Sequence, residues 1–187
     1  MEKVNIGPQG FTLPMPQAIL GAHIEGRPNY MALGWVTRVN YSPPLIGIGV
    51  HKGHATHQAI TETGQFSINF PSTEMVNITD YVGLVSNKRV DKSELFDRFY
   101  GELKDAPLIK ECPLSLECKL YETVSLPTNT LFIGEIVGTW CEERYMTDGV
   151  PDISKIKPFV LTMPDNRYWE VGRCVGHAWK AGKALKK

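Results

Sequence analysis

Three of the five histidines in this chain fall within seven residues, His51-Lys52-Gly53-His54-Ala55-Thr56-His57. Two chemistries compete for that stretch. A metal needs three or four ligands converging on one point. These three imidazoles become neighbours only on one continuous helix, and Gly53 interrupts any helix there. No H-E-x-x-H pattern exists, and neither Cys nor Asp lies inside the stretch. The other chemistry is anion binding. A strand ends at His51, a Lys-Gly turn follows, and a helix begins at Thr56. A helix start exposes unpaired N–H groups and partial positive charge. A phosphate placed there meets the Thr56 hydroxyl and the Lys52 ammonium, with His54 a donor in either protonation state. On these residues alone, an anion site and a solvated turn with an ordinary N-cap read equally well. A metal site reads less well.

The elements around the stretch are mostly strands. Residues 18–24 and 30–36 form a hairpin about a turn at Glu25-Gly26-Arg27-Pro28. "PPLIGIGVH" is a third strand, with glycines that let backbone or ligand approach closely. Thr56 to Thr63 is a short helix, with Thr56 as N-cap and Gly64 as the C-terminal stop. "QFSINFP" alternates apolar Phe66, Ile68 and Phe70 with polar Ser67 and Asn69, the pattern of a half-buried strand. Residues 74–85 read as a helix with a break at Gly83, and "VSNKRVDKS" as a polar loop. Two longer strands, 114–124 and 131–141, join around Pro127-Thr128-Asn129. "KPFVLTM" is a last strand before a glycine-punctuated, basic tail. Period-2 segments and frequent turns favour a mainly β, antiparallel barrel over a doubly wound sheet.

The bulk numbers narrow the function classes. The 187 residues suit one domain, 1–187, with a sizeable core. Twenty basic residues balance twenty acidic ones, so there is no global electrostatic case for nucleic acid or an anionic membrane. Any anion site must be local. The first ten residues lack the apolar core of a secretion signal, and no apolar run approaches the ~18–20 residues of a membrane span. The four cysteines are scattered without a C-x-x-C pair and read as reduced thiols in a cytoplasmic protein.

The stretch "GWVTRVNYSPPLIGIGVHKGHATHQAITETGQFSINFPS" resembles the signature region of the flavin reductase-like, FMN-binding split-barrel family, nearest to its flavoredoxin branch. The resemblance covers most of the chain. It includes the P-x-P-Q segment at Pro14 and Pro16, the hairpin ending in Trp35, and Ser42-Pro43-Pro44-Leu45. It continues through Glu62-Thr63-Gly64-Gln65-Phe66 and Asn69-Phe70-Pro71-Ser72. "DYVGLVSNKRVDKS", "DAPLIKECPLSLECKL", "TLFIGEIV" and "DGVPDISKIKPFVLT" then follow in order.

The resemblance implies an FMN-binding split-barrel homodimer that works in electron transfer, with a redox partner protein or NAD(P)H supplying electrons. It places Trp35, Val36, Thr37, Arg38 and Asn40 along the flavin ring, with Arg38 beside N1 and O2 of the reduced flavin. It places His51, Lys52, His54, Ala55 and Thr56 at the ribityl phosphate. The family commonly carries Ser or Thr at the position of His54. Ser86 and Lys92 belong to a flavin-proximal loop, in which Asn87 stands where relatives carry Gly, and Asn tolerates positive φ. Tyr168 and Trp169 match an aromatic pair that closes over the site. No residue reads as a required catalytic acid, base or nucleophile. The G-x-G-x-x-G fingerprint of a dedicated nicotinamide-binding domain is absent. An NAD(P)H-dependent flavin or ferric reductase, and a non-enzymatic split-barrel binding module, are the competing expectations.

Overall fold

The computed structural model describes residues 1–8, 10–11 and 13–185. Its main sheet has seven antiparallel strands: β1 (Ala18–Ile24), β2 (Arg27–Leu33), β3 (Val36–Asn40), β4 (Leu45–His51), β5 (Gln65–Phe70), β6 (Leu114–Ser125) and β7 (Asn129–Cys141). They lie in the order β2-β1-β5-β6-β7-β4-β3. The two outermost strands, β2 and β3, are therefore consecutive in the chain, joined only by Gly34-Trp35. That link spans about 10 Å at full stretch, so the two edges must come together. The sheet curls into a barrel split along this seam, an antiparallel, mainly β split barrel.

The curl has local causes. β7 carries irregularities at Ile133/Gly134 and Ile136/Gly138 against β6, and such bulges sharpen bend and twist. At Gly134 a Cβ would collide with the Phe66 ring inside the barrel, so only glycine lets the strand cross there. The interior is apolar: Leu20, Val36, Ile48, Val50, Phe66, Ile68 and Phe132 pack with Ala59 and Ile60 of helix α1 (Ala55–Thr63). A second cluster, Ile19, Tyr30, Met75, Val82 and Phe96, lies outside the barrel between the β1/β2 hairpin and helix α2 (Val76–Leu84). Among the described residues no helix is long and apolar enough to cross a membrane.

Several expectations hold and several are revised. The hairpin turns at Glu25-Gly26, both at positive φ (51° and 76°), but Arg27 and Pro28 already belong to β2. The expected strand 30–36 is broken at Gly34-Trp35, where the chain leaves one barrel edge and joins the other. Helix α1 ends as read, with Gly64 in the left-handed region at φ 65°. Helix α2 runs through Gly83 without a break. β5 is not half-exposed, because Ser67 and Asn69 are fully buried. A loop lies over them: Ser67 Oγ donates to Pro107 O, and Asn69 Oδ1 accepts from Ile109 N at 2.9 Å. The polar side of the alternation binds backbone rather than water. All four cysteines are free thiols.

Candidate functional site

Helix α1 begins one residue earlier than its sequence suggests. His54 is the N-cap, in extended conformation (φ −81°, ψ 138°), and no side chain caps the helix. Thr56 is the second helical residue, so it is not the N-cap. Its hydroxyl is turned inward and accepts from Asn29 Nδ2 at 3.0 Å. The first turn carries no acidic residue, so its amides keep their full capacity for an external anion.

A cavity of about 250 Å³ lies against that helix start, with His54, Ala55 and Thr56 on one side. Asn29 and Ala32 of β2, Gly83 of α2, and Ser86, Asn87, Lys88 and Lys92 of the following loop complete it. Gly83 lies so close to Ala32 that an added Cβ would sit 3.0 Å from the alanine methyl, so α2 presses directly on β2. Lys92 is only 5% exposed. Its ammonium donates to Val82 O at 2.8 Å and Tyr30 O at 3.0 Å, stapling α2 to β2. An ammonium has three donors, and the third is left for the cavity. Burial pulls the Lys92 pKa below its ordinary value. Burial, then the neighbouring His51, Lys92 and His57, also pulls His54 down. The cavity is thus an electropositive place in which a bound anion would relieve the cations.

Asn29 supplies a further sign. As its amide is oriented, Oδ1 is buried without a partner. The two amide ends are interchangeable in shape. Turned over, Oδ1 accepts from the Thr56 hydroxyl and the NH₂ group becomes a second donor beside the helix start.

The cavity continues along the barrel seam. His54, Met31 and Ala32 also line a neighbouring space of about 480 Å³ with Trp35, Gly49, His51, Asn129, Leu161 and Met163. Trp35, Gly34, Gly49 and Asn129 lead on to an apolar space of about 700 Å³ that adds Val36, Thr37, Gly47, Leu126 and Leu131. Gly49 N donates to Trp35 O at 3.0 Å, which holds the tryptophan at the seam. A Cβ at Gly49 would come within 3.1 Å of the Trp35 ring, so glycine lets the indole lie against the strand. Trp35 remains 48% exposed. The result is one groove with a polar, cationic end and an apolar end.

The structure therefore brings together Trp35, Val36, Thr37, His51, His54, Ala55, Thr56, Ser86 and Lys92. It does not bring Arg38, Asn40, Lys52 or Tyr168 to the groove walls of the same chain. Arg38 donates to Asn40 O and Tyr41 O, and Asn40 Nδ2 to Pro43 O, which staples the turn after β3. Lys52 Nζ donates to Ser125 Oγ at 2.9 Å across to the end of β6. Tyr168 lies in the strand Arg167–Glu170; its hydroxyl donates to Asp80 Oδ1 at 2.8 Å and its ring meets Phe159 edge-on. Burial first, and that carboxylate second, push its pKa up to about 12. The three histidines diverge. His51 and His54 lie with ring centroids 5.5 Å apart, while His57 turns to Thr130 Oγ1 at 2.7 Å and to Phe132. Asn29, Ala32, Gly83 and Asn129 are groove residues that sequence reasoning missed. Only Asn29 left a signal, an asparagine in mid-strand, where that residue is disfavoured.

The flavin reductase like domain model matches residues 11–154. The fold superposes on the flavoredoxin of Methanosarcina acetivorans with a TM-score of 0.98 and 55% identity, covering all of both chains. The flavoredoxin of Desulfovibrio vulgaris (Miyazaki F) gives a TM-score of 0.91 at 34% identity over 97% of this chain and 100% of that one. An FMN-binding protein of Thermus thermophilus, solved with bound p-hydroxybenzaldehyde, gives 0.71 at 26% identity over 86% and 88%.

Proposed function

Since the chain belongs to the flavin reductase-like family, we propose that it is an FMN-binding flavoprotein of electron transfer, with the seam groove as its flavin site. One observation carries the assignment. A single groove joins an uncapped helix start and a buried lysine to an apolar slot beside Trp35 and Gly49. A flavin mononucleotide has the same polarity from end to end: a planar apolar ring at one end and a phosphate dianion at the other. The residues present fit it. The amides of Ala55 and Thr56, with His54, Lys92 and a turned Asn29, would hold the phosphate. Trp35, Val36, Thr37 and Gly49 would line the ring. Relatives whose printed names are flavoredoxin and FMN-binding protein support the same cofactor.

When bound, FMN supplies the redox chemistry, accepting electrons from a donor and passing them on. The chain's own residues bind, orient and partly shield it. Lys92 and the α1 dipole balance the phosphate charge. Trp35 walls the ring end while leaving it accessible to an electron partner, either a nicotinamide nucleotide or a redox protein.

The site also calls for a second copy of the chain. The apolar end of the groove opens on the outer face of β3, β4 and β7. There Val39 is exposed, as is Val124 of the adjoining β6, which pairs with Leu131, and a Cβ at Gly47 would meet both Val39 and Leu131. A homodimer covers that face and closes the groove.

The test is the visible spectrum of the purified protein, followed by chromatography of the flavin released on denaturation. Yellow protein that yields FMN is expected. Colourless protein that takes up no flavin after incubation with FMN would overturn the reading. An anaerobic NADH and NADPH titration then separates reductase from carrier. Steady nicotinamide oxidation with exchangeable FMN marks the reductase, and tightly held FMN with no oxidation marks the carrier.

A further inference from the structure

Past the strand Arg167–Glu170 the chain runs on as an arm, residues 171–185. Every residue from 171 to 183, and Leu185, is exposed. Among the described residues the arm's hydrogen bonds all close within it. Lys180 N and Ala181 N donate to His177 O, Lys183 N donates to Lys180 O, and Cys174 Sγ donates to Gly176 O. Yet the arm is rich in apolar side chains. Val175 is 94% and Trp179 93% exposed, and Val171 and Leu185 are also open to solvent. Trp179 sits in the left-handed region at φ 58°, a conformation that a bulky residue keeps only where its surroundings hold it. Its own chain leaves the indole bare, so the surroundings must come from another molecule.

The arm departs beside the seam. Its strand pairs with Phe159–Thr162, whose Leu161 lines the groove with Trp35 and would meet a Cβ at Gly34 at 3.5 Å. The apolar outer face of β3, β4 and β7 opens from the same seam. Leu131 and Ile133 lie two residues apart on it, and Glu122, the register partner of Ile133, is exposed. Among the described residues Glu122 has no cationic partner within ion-pair distance. The arm is complementary in charge: Arg173, Lys180, Lys183, Lys186 and Lys187 are balanced by no acid after Glu170.

Resting on the dimer reading above, we propose that the arms are exchanged. The arm of one copy crosses to the outer face of a second copy and sets Trp179 at the apolar end of that copy's groove. Fifteen residues reach about 50 Å at full stretch, enough to cross from one seam to the other. A two-fold axis lets each arm cover the other's face, so both bare surfaces are buried at once. The ring end of each flavin site is then completed by a residue of the partner copy, and dimer formation and flavin binding support each other.

The experiment irradiates full-length protein carrying Trp179→p-benzoylphenylalanine and maps the linked peptides. A covalent dimer joined to residues 36–49 or 122–133 of the second copy is expected. Links only within one chain, links to another segment, or a dimer with no link at all would overturn the exchange. Trp179→Ala is the second measurement, and the chain's own core does not use this exposed side chain. It should weaken the dimer and the binding of FMN by about tenfold or more each, as for an interface aromatic. Riboflavin should weaken by the same factor as FMN, because the ring end is what loses its cover. Trp179→Phe should restore most of both affinities. Trp179→Ala with unchanged dimer and flavin affinities would overturn the proposal. A wild-type monomer would overturn the dimer reading and the arm together. A dimer that links as expected but takes up no FMN would overturn the flavin assignment and leave the arm exchange standing.

Discussion

Asn29 Nδ2 lies 3.0 Å from Thr56 Oγ1, tying the middle of β2 to the first turn of α1. Both residues are buried, with Thr56 only 2% exposed. The bond positions the helix start relative to the strand that forms the floor of the cavity. Removing one partner strands the other, and a buried polar group left unpaired costs about 1–3 kcal/mol.

Thr56→Val, which keeps the shape and deletes the hydroxyl, should therefore destabilise the flavin-free protein by about 1–3 kcal/mol. Adding Asn29→Leu should cost less than the sum of the two single changes, because no orphaned group remains. Urea denaturation of the four proteins measures this. Strict additivity would mean that the two side chains are not coupled.

Lys92→Met should weaken FMN about ten- to a hundredfold, as for loss of a charge-assisted hydrogen bond, and leave riboflavin nearly unchanged. Riboflavin lacks the phosphate, so it reports the ring end alone. The same change leaves Tyr30 O and Val82 O without the ammonium, so α2 should open more readily. Calorimetric titration of both flavins reads the first effect, and amide exchange in α2 the second. Equal weakening of the two flavins would remove Lys92 from the phosphate site.

Acid should loosen the flavin-free fold before the carboxylates titrate. Burial, aided by neighbouring cations, holds both His54 and His57 below the ordinary value of 6.5. Above pH 6.5 the two are neutral whether folded or unfolded, and they cost nothing. As pH falls below 6.5, the unfolded chain takes up protons that the folded chain resists, so stability is lost in that direction. The urea midpoint should be lower at pH 5.5 than at pH 7.5, and His54→Gln should reduce the difference. A midpoint that rises on acidification would contradict the placement of these rings.

Light scattering at micromolar concentration should give twice the 20.9 kDa chain mass. Val39→Asp with Val124→Asp places charge on the exposed outer face and should shift the protein toward monomer with weaker FMN. A wild-type monomer with full FMN affinity would show that the groove needs no second copy.

Much of the site was legible because its signals are local. The Glu25-Gly26 turn, the Gly64 helix stop and the strand–turn–helix run through His51 to Thr56 are set by neighbouring residues. The family pattern follows from motifs in order along the chain. Position-by-position polarity was less reliable wherever a distant segment supplied the partner. Ser67 and Asn69 read as a solvent face, yet the 107–109 backbone covers them. Lys92 sits in a polar run and reads as a loop charge, yet two carbonyls from β2 and α2 draw it into the interior. Thr56 reads as a cap, but Asn29, 27 residues earlier, claims its hydroxyl. Short-range sequence determines turns, caps and strand periodicity because their hydrogen bonds close within a few residues. Which side chains face the groove was decided only when the sheet curled and brought β2 and β3 together at Gly34-Trp35, because that apposition depends on the order and bending of all seven strands.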